Sequence, residues 1–221
     1  MKSDVRGELL ALIEHLRSYV LYQEALGLEA FPRSTLSPQT LTVVREELGD
    51  CHRCRLSGTR KNIVFGEGNQ NARLVFVGEG PGHEEDLQGR PFVGKAGQLL
   101  DRIIVAIRMK RDEVYITNVV KCRPPNNRVP WPDEIACCYP FLEKQLRVIR
   151  PKIICALGSA AAQTLLHTEA GITSVRGTFH SWQGIPVMPT FHPAYLLRNP
   201  EKKKQAWGDM KAIQKEVETA T

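Results

Sequence analysis

The feature that most restricts the fold is a series of four short apolar runs, rich in β-branched residues, which begins after Arg73. Each run is followed by glycine, proline, asparagine or histidine, and helical stretches separate the runs. This alternation is typical of an α/β fold, because helical crossovers between strands produce a mostly parallel sheet covered on both faces. The predicted strands are Leu74–Val77, Val114–Thr117, Ile153–Leu157 and Ile185–Met188.

The segments between these runs predict the helices that cover the sheet. Helical patterns extend over 96–109, 132–147 and 159–167, and a last helix is predicted to begin near Pro200. Together, the strands and helices predict a three-layer α/β/α fold around a central four-stranded, mostly parallel sheet.

The N-terminal part of the chain has a different pattern. Apolar residues recur at helical spacing from Val5 to Leu28, with charges between them, which predicts one amphipathic helix. Ser37-Pro38 resembles an N-cap followed by proline at the first helical position, and predicts a second helix that ends near Gly49. We therefore predict an N-terminal helical extension over 1–36 and a main domain over 37–221.

Composition indicates a folded protein with a polyanionic partner. Hydrophobic residues make up 42% of the chain and charged residues 24%, which argues against disorder. The net charge of +6 favours nucleic acid as a partner. No apolar run reaches the roughly 18 residues that a membrane helix needs, and the first residues carry charges. We expect a soluble, cytoplasmic protein without a membrane partner.

The cysteines suggest a metal site. Thiols in a cytosolic protein are kept reduced, so disulfides are not expected. Cys51 and Cys54 form a C-x2-C pair, and Cys122 and Cys138 follow at wide spacings. Four thiolates can hold a tetrahedral zinc ion or an iron–sulfur cluster, and spacing alone does not choose between them. Cys155 lies in an apolar run and is predicted to be a small buried side chain.

Polar residues concentrate in the loops that follow the predicted strands. These loops are 78–86, the segment from Asn118 to Arg128, 158–160 and 189–193. In a parallel sheet the carboxyl ends of the strands meet at one edge, where ligands bind. The sequence therefore predicts one site built from all four loops.

Four motifs in or near these loops carry a resemblance to a known family. They are G-E-G-P-G-H-E-E-D at 78–86, G-R-P-F-V-G at 89–94, T-N-V-V-K-C-R-P-P-N-N-R at 117–128 and F-H-P-A-Y-L-L-R at 191–198. With these motifs in order, the chain from Leu41 to Lys211 resembles the iron–sulfur (family 4) uracil-DNA glycosylases. The resemblance implies a uracil-DNA glycosylase-like fold. It also implies a monofunctional enzyme, acting as a monomer on single- or double-stranded uracil-containing DNA, that hydrolyses the N-glycosidic bond and starts base excision repair.

The resemblance also implies a structural [4Fe-4S] cluster. Its ligands would be Cys51, Cys54, Cys122 and Cys138. In the family the last ligand precedes x-Pro-x-Leu, which here is Tyr139-Pro140-Phe141-Leu142, so Cys138 is favoured over the adjacent Cys137.

Uracil recognition would follow the flipping of the nucleotide into a pocket. Phe92 is the predicted stacking face, and the Asn118 amide can donate to uracil O4 and accept from N3–H, a pattern that cytosine inverts. The resemblance assigns the exclusion of the thymine methyl group to Glu85. The first loop, with Gly78, Glu79 and Gly80, would let the backbone approach a flat ligand closely.

His192 is the predicted catalytic donor. It can donate to uracil O2 as negative charge develops on the departing base. Other members of the superfamily carry an aspartate in the first motif to position the attacking water, and this chain has Gly80 there. Glu79 and Asn127, in the Asn126-Asn127 pair, remain as candidates for that role.

Leu196, Leu197 and Arg198 are predicted to form a wedge that fills the gap left by the flipped base. The alternative is a helix start whose leucines belong to the core. Nearby basic residues would contact the DNA backbone, namely Arg198, Lys202, Lys203, Lys204 and Lys211.

Two other functions compete with this one. A superfamily variant uses a histidine nucleophile, carried by a basic insert after the second-strand motif, and stays covalently attached to DNA. Residues 122–131 contain no histidine, which argues against that variant. A non-catalytic, cluster-bearing DNA-binding module would be indicated by loss of Glu79, Asn118 or His192, and all three are present.

Overall fold

The structure is a computed structural model that describes residues 40–219 together with Ile13, Glu14 and Arg17. These three residues are helical, and the rest of the predicted extension over 1–36 lies outside the described residues. The chain divides into two units, Met1–Gln39 and Thr40–Thr221. The domain boundary at residue 36 stays a prediction.

The centre of the described region is a six-stranded mixed sheet in the order β1-β3-β2-β4-β6-β5. The four central strands, β3, β2, β4 and β6, pair in parallel, and β1 and β5 pair antiparallel at the two edges. The strands are β1 (Glu67–Gly68), β2 (Leu74–Gly78), β3 (Tyr115–Asn118), β4 (Ile153–Leu157), β5 (His180–Trp182) and β6 (Ile185–Thr190).

The four predicted strands are confirmed as the parallel centre of the sheet, and the α/β fold class is confirmed with them. The prediction of only four strands was incomplete, because β1 and β5 extend the sheet. These edge strands contain two and three residues. Such short segments contain no apolar run or alternation that would predict a strand.

Helices pack on both faces of the sheet and complete the three layers. The predicted helices over 96–109, 132–147 and 159–167 are confirmed with small shifts at their ends, and the last helix begins at Lys203 after a 3-10 turn at Pro200–Lys202. The helices are α1 (Leu41–Leu48), α2 (His83–Gln88), α3 (Lys95–Ala106), α4 (Pro132–Ile149), α5 (Ser159–Leu166), α6 (Ile172–Val175), α7 (Pro193–Arg198) and α8 (Lys203–Thr219).

The first described helix begins later than the sequence indicated. Thr40 is its N-cap and accepts a hydrogen bond from Val43 N at 3.2 Å, whereas the predicted cap Ser37-Pro38 lies outside the described residues. The short helices α2 and α6 were not predicted, and α7 was only the alternative to the wedge, because six or fewer residues do not establish a helical period. Among residues 40–219, we find no helix long and apolar enough to cross a membrane.

The core is divided by the sheet into two apolar layers. Phe76 and Ile116 face α3 and α8, and the alternate residues Val75 and Val77 face α4 and α5. Alternation of side chains along a strand produces this division. Each fully buried aliphatic or aromatic side chain contributes about 1.5–3 kcal/mol, so both layers anchor the strand ends that carry the polar loops.

Gly97 allows α3 to pack directly against the backbone of the loop that carries Phe92. A Cβ atom at Gly97 would lie 1.9 Å from the Phe92 carbonyl oxygen and 2.1 Å from its carbonyl carbon. Backbone atoms cannot rotate away as a side chain can. The position of Phe92 therefore depends on a glycine in the first turns of α3.

We expect Gly97→Ala to lower the free energy of unfolding by about 1–3 kcal/mol, because the helix and the Phe92 loop must move apart. Thermal and urea unfolding measure this loss. Gly208→Ala is the matched control, since a Cβ atom at Gly208 in α8 would meet nothing within 4 Å, and alanine there should raise stability slightly. Equal stability of the Gly97→Ala variant and the unmodified protein would contradict the close approach.

Candidate active site

A cavity of about 470 Å³ opens at the carboxyl ends of the parallel strands. Residues after β2, the last residue of β3 and the segment after β6 contribute to its wall, together with the loop that precedes α3. Three of the four predicted strand-end loops therefore line the cavity, and the loop at 158–160 does not. Eight of the predicted site residues line the cavity, namely Glu79, Gly80, Glu85, Phe92, Asn118, Asn127, His192 and Arg198.

Gly78 lies behind the cavity wall. A Cβ atom there would stand 2.4 Å from Asn118 Oδ1 and 2.6 Å from Phe92 Cζ. Any larger residue would push both side chains out of place. Gly78 therefore lets the asparagine amide and the phenylalanine ring approach the same end of β2.

Asn118 ends β3 with its side chain buried at 1% exposure. Its Oδ1 atom is the one buried side-chain oxygen or nitrogen in the described part of the chain that lacks a hydrogen-bond partner. Leaving a buried acceptor unpaired costs about 1–3 kcal/mol. Such an atom on a cavity wall is suited to accept a hydrogen bond from a ligand.

His192 is half-buried in the cavity lining, between β6 and α7. Its Nδ1 accepts a hydrogen bond from Ala194 N at 3.1 Å, so the neutral ring carries its proton on Nε2. Burial, helped by the positive charge of Arg198 and opposed by Glu85, lowers the pKa of His192 to about 4. At neutral pH the ring is therefore an uncharged N–H donor.

Phe92 adopts a left-handed backbone conformation with φ 51°, which is strained for a phenylalanine. Its ring lies 5.6 Å from the His192 ring, centroid to centroid, at an interplanar angle of 33°. Arg111 Nη2 donates to the neighbouring Pro91 carbonyl at 2.6 Å, and this hydrogen bond holds the loop in place. Strain that is held by surrounding contacts in this way is characteristic of functional sites.

Glu85 fixes the same loop from the side of α2. Its carboxylate accepts hydrogen bonds from three main-chain N–H groups, those of Val93 at 2.8 Å, Gly94 at 2.9 Å and Gly82 at 3.1 Å. Hydrogen bonds to a charged acceptor contribute about 1.5–3 kcal/mol each. Glu85 is therefore an immobile carboxylate on the cavity wall.

The two candidates for positioning a water molecule differ in their surroundings. Burial alone raises the pKa of Glu79, and no described residue pairs with its carboxylate. The Asn127 Oδ1 atom, in contrast, accepts a hydrogen bond from Arg123 Nε at 2.8 Å. Glu79 is thus the freer of the two acceptors that line the cavity.

The predicted wedge is only partly consistent with the structure. Leu196 is 2% exposed and packs with Leu99, Phe191 and Ala206, so the prediction that it is an exposed wedge residue was wrong. The alternative, a helix with its leucine in the core, applies to Leu196 because α7 turns that side chain inward. Leu197 is 39% exposed, and the neighbouring Arg198 is exposed beside the cavity.

Several cavity residues were not singled out from the sequence. Arg128, Val129 and Tyr195 line the cavity within or beside the quoted motifs. Gly158 lies against His192, since a Cβ there would be 3.0 Å from His192 Cβ at a backbone φ of +89°. A glycine directly after a predicted strand was the available sign, although its partner cannot be inferred from sequence.

Lys121 is fully buried three residues beyond Asn118. Its Nζ atom lies 2.7 Å from each of three acceptors, namely Thr117 Oγ1, the Asn118 carbonyl and Gln145 Oε1. Burial lowers the pKa of this lysine to about 8. Sequence reasoning missed it, because a lysine in a polar motif is normally expected at the surface.

A second, small cavity collects the cysteines. Cys51, Cys54, Cys122, Cys137 and Cys138 all line it, and none of the six cysteines is in a disulfide. Residues 51 and 54 lie in the loop after α1, residue 122 follows β3, and residue 138 lies in α4. The four predicted ligands are therefore brought together, with Cys137 beside them.

N–H groups already point at three of the predicted ligand sulfurs. Arg53 Nη1 lies 3.2 Å from Cys51 Sγ, Arg60 Nη1 3.6 Å from Cys122 Sγ, and Lys121 N 3.2 Å from Cys138 Sγ. Donors of this kind stabilise metal-bound thiolates. The donor set thus fits a thiolate-ligated group.

The spacing of the cysteines bears on the kind of group. Within residues 40–219, no three His, Cys, Asp or Glu side chains are close enough to share one metal ion. Each thiolate on a [4Fe-4S] cluster binds a different iron, so its sulfurs stand apart, unlike the four ligands of a zinc ion. Burial raises the pKa of Cys122 to about 12 and also raises those of Cys54 and Cys138, so binding of a metal group must release protons.

Comparison with known proteins agrees with this geometry. A model of the uracil-DNA glycosylase superfamily matches residues 65–211. The chain is 50% identical to a type-4 uracil-DNA glycosylase of Thermotoga maritima over 163 residues, which cover 73% of this chain and 85% of that protein. It is 42% identical to the type-4 enzyme of Archaeoglobus fulgidus over 183 residues, or 79% and 92% of the two chains. A type-5 enzyme of Pyrobaculum aerophilum is 32% identical over 149 residues, or 60% and 66%. The chain belongs to the uracil-DNA glycosylase superfamily and, within it, to the type-4 enzymes.

Proposed function

We propose that the chain is a monofunctional DNA glycosylase that removes uracil from DNA as the first step of base excision repair. The observation that carries this proposal is the unpaired Asn118 Oδ1 atom, buried in the same cavity as the Nε2–H donor of His192. An acceptor, a donor and an aromatic ring, that of Phe92, line the same cavity and match the edge and face of a flat uracil ring. The DNA repair role follows from that substrate.

Recognition would use the Asn118 amide and the Phe92 ring together. Asn118 Oδ1 accepts from uracil N3–H, and its NH₂ group donates to O4. Cytosine presents an acceptor at N3 and a donor at N4, so both contacts would be repulsive. Because the amide oxygen has no partner within the described protein, a correct base removes the cost of an unpaired group and a wrong base does not.

Bond cleavage would rely on charge stabilisation by His192. The N-glycosidic bond breaks with its electron pair leaving on uracil, while the sugar acquires oxocarbenium character. The Nε2–H group donates to O2, where the negative charge develops, so this hydrogen bond is stronger in the transition state than in the ground state. A neutral imidazole can provide this bond at physiological pH.

Water completes the reaction by attacking the anomeric carbon of the sugar, which gains a hydroxyl group, and the proton that the water loses neutralises the uracil anion. We assign the orientation of this water to Glu79, whose carboxylate lines the cavity without a pairing partner among the described residues. Asn127 is the second candidate, although Arg123 already engages its oxygen.

DNA contacts would surround the mouth of the cavity. We propose that Leu197 fills the gap left by the flipped base and that Arg198 contacts the neighbouring phosphates. The exposed lysines at the start of α8 would add salt-dependent affinity for the backbone.

We further propose that the cysteine cavity holds a [4Fe-4S] cluster bound by Cys51, Cys54, Cys122 and Cys138. Such a cluster would cross-link the loop after α1, the segment after β3 and helix α4. The three N–H donors directed at the sulfurs support this assignment.

The activity is tested with an oligonucleotide that contains one uracil, followed by alkali and gel separation. We expect strand cleavage at the uracil position and none with thymine there. His192→Ala should lower the single-turnover rate by about 10²–10³-fold while weakening binding to abasic product DNA much less. Equal losses in rate and product affinity would show that His192 only positions the substrate.

The protonation state of His192 has a consequence for stability. Its pKa is about 4 when folded and near 6.5 when unfolded, so between these values the unfolded chain binds the extra proton. Stability should therefore fall as pH falls from about 6.5 to 4. His192→Asn should reduce the stability loss between pH 7 and pH 5 by about 2 kcal/mol in urea unfolding. An unchanged pH dependence in the variant would contradict the lowered pKa and the neutral ring.

Two residues should share the discrimination between bases, with Glu85 excluding thymine and Asn118 recognising uracil. Glu85→Ala should keep uracil release, gain measurable thymine release and lower the melting temperature, since three N–H groups lose their acceptor. Glu85→Gln, which keeps the shape, is the control and should still refuse thymine. Asn118→Asp should slow uracil release at least about tenfold without admitting thymine. If the Glu85→Ala variant still releases uracil but no thymine, another residue must exclude the thymine methyl group.

The cluster assignment predicts a yellow-brown protein that contains iron and acid-labile sulfide. Cys138→Ala should lose the cluster and melt at a lower temperature, whereas Cys137→Ala should retain both properties. The opposite result would make Cys137 the ligand. One equivalent of zinc without sulfide would contradict the cluster itself.

A further inference from the structure

The orientation of the Asn118 amide requires an explanation, because no hydrogen bond within the described protein holds its oxygen. An asparagine that reads a base must present its oxygen and nitrogen in fixed positions. Contact with Gly78 and Phe92 restricts the amide from one side. The main chain at the end of β3, from which the side chain extends, provides a second restraint.

The ammonium group of Lys121 supplies contacts at that point. It donates to the Asn118 carbonyl and to the hydroxyl of the preceding Thr117, each at 2.7 Å, so it bonds to two consecutive residues of β3. Gln145 Oε1 in α4 accepts the third N–H at the same distance. All three donors of the ammonium group are thereby used.

The acceptors are themselves held in one orientation. Thr117 Oγ1 donates to the Phe65 carbonyl at 3.0 Å, which leaves its lone pairs for Lys121. Gln145 Nε2 donates to the same carbonyl at 2.9 Å and directs Oε1 towards the lysine. The network is therefore fully paired and rigid in the protein interior.

The same residue touches the cysteine cavity through its main chain. Lys121 N donates to Cys138 Sγ at 3.2 Å, and the next residue is Cys122. A lysine side chain buried without a carboxylate partner is costly to a fold. Lys121 lies between the base-reading asparagine and two of the proposed cluster ligands. This location suggests a functional reason for burying the lysine.

We propose that Lys121 is a positioning residue that fixes the uracil-reading amide of Asn118 relative to the cysteine-rich corner of the protein. The proposal rests on the proposed function. It assigns Lys121 no contact with the base and no proton transfer. Its effect is to hold the end of β3 so that Asn118 meets uracil without rearrangement.

The test compares Lys121→Met with the double variant Lys121→Met/Gln145→Met. The single variant leaves buried acceptors unpaired and should be destabilised. The double variant also removes the Gln145 acceptor that the single variant leaves unpaired, which restores part of the stability, although the Asn118 carbonyl still lacks the lysine donor. Lys215→Met, at an exposed position of α8, is the control. Each protein is assayed for melting temperature, iron content, single-turnover uracil release at saturating DNA, and the DNA concentration at half-saturation.

A positioning role predicts that the double variant melts above the single variant and keeps its iron, yet releases uracil about 10²-fold more slowly at saturation than the unmodified protein. The half-saturating DNA concentration should change by less than about threefold, because the outer DNA contacts are intact. A double variant that is stable and also cleaves at the normal rate would overturn the proposal, since Lys121 would then serve stability alone.

A third variant keeps the proposal testable if the double variant does not fold. Thr117→Val removes one acceptor beside Asn118 and keeps the side-chain volume. It should lower the saturated rate by about tenfold or more at a DNA affinity close to normal, and an unchanged rate would overturn the proposal. Absence of uracil release by the unmodified protein and by Lys215→Met would instead refute the proposed function, which separates the two failures.

Discussion

The parallel pairing of β2 with β3 is the constraint on which the site depends. Its register places Gly78 opposite Asn118 at the last rung of the ladder. Because both strands end there, the chain after β2 and the amide of Asn118 face the same cavity. The absence of a side chain at Gly78 then lets Phe92 and Asn118 approach within van der Waals distance of its backbone. The two apolar layers beneath the strands keep this edge in place.

Around that edge several local features are energetically unfavourable for folding. Phe92 is held in a left-handed conformation, Asn118 keeps an unpaired buried oxygen, and the ammonium group of Lys121 is buried with neutral acceptors. Glu85 and Arg111 compensate by holding the strained loop through main-chain groups. Costs concentrated at one cavity, with compensation around it, indicate preorganisation for a ligand instead of a defect in folding.

The sequence predicted the central strands and the location of the site because long apolar runs and strand-end loops are local patterns. It could not predict β1 or β5, whose few residues acquire strand geometry only by pairing with β3 and β6. Leu196 was misassigned for a related reason, since the direction in which α7 turns its leucines depends on packing against Leu99 and Phe191. The contacts of Gly97 and Lys121 could not be predicted from the sequence either, because they form only in the tertiary structure.

The central claim is that Asn118 and His192 read and release uracil in one preformed cavity. A crystal structure of the protein with uracil and abasic product DNA tests it most directly. The account predicts uracil stacked on Phe92, with N3–H donating to Asn118 Oδ1, O2 accepting from His192 Nε2, and little movement of either side chain. Uracil bound outside this cavity, or bound in it with Asn118 Oδ1 still unpaired, would contradict the account.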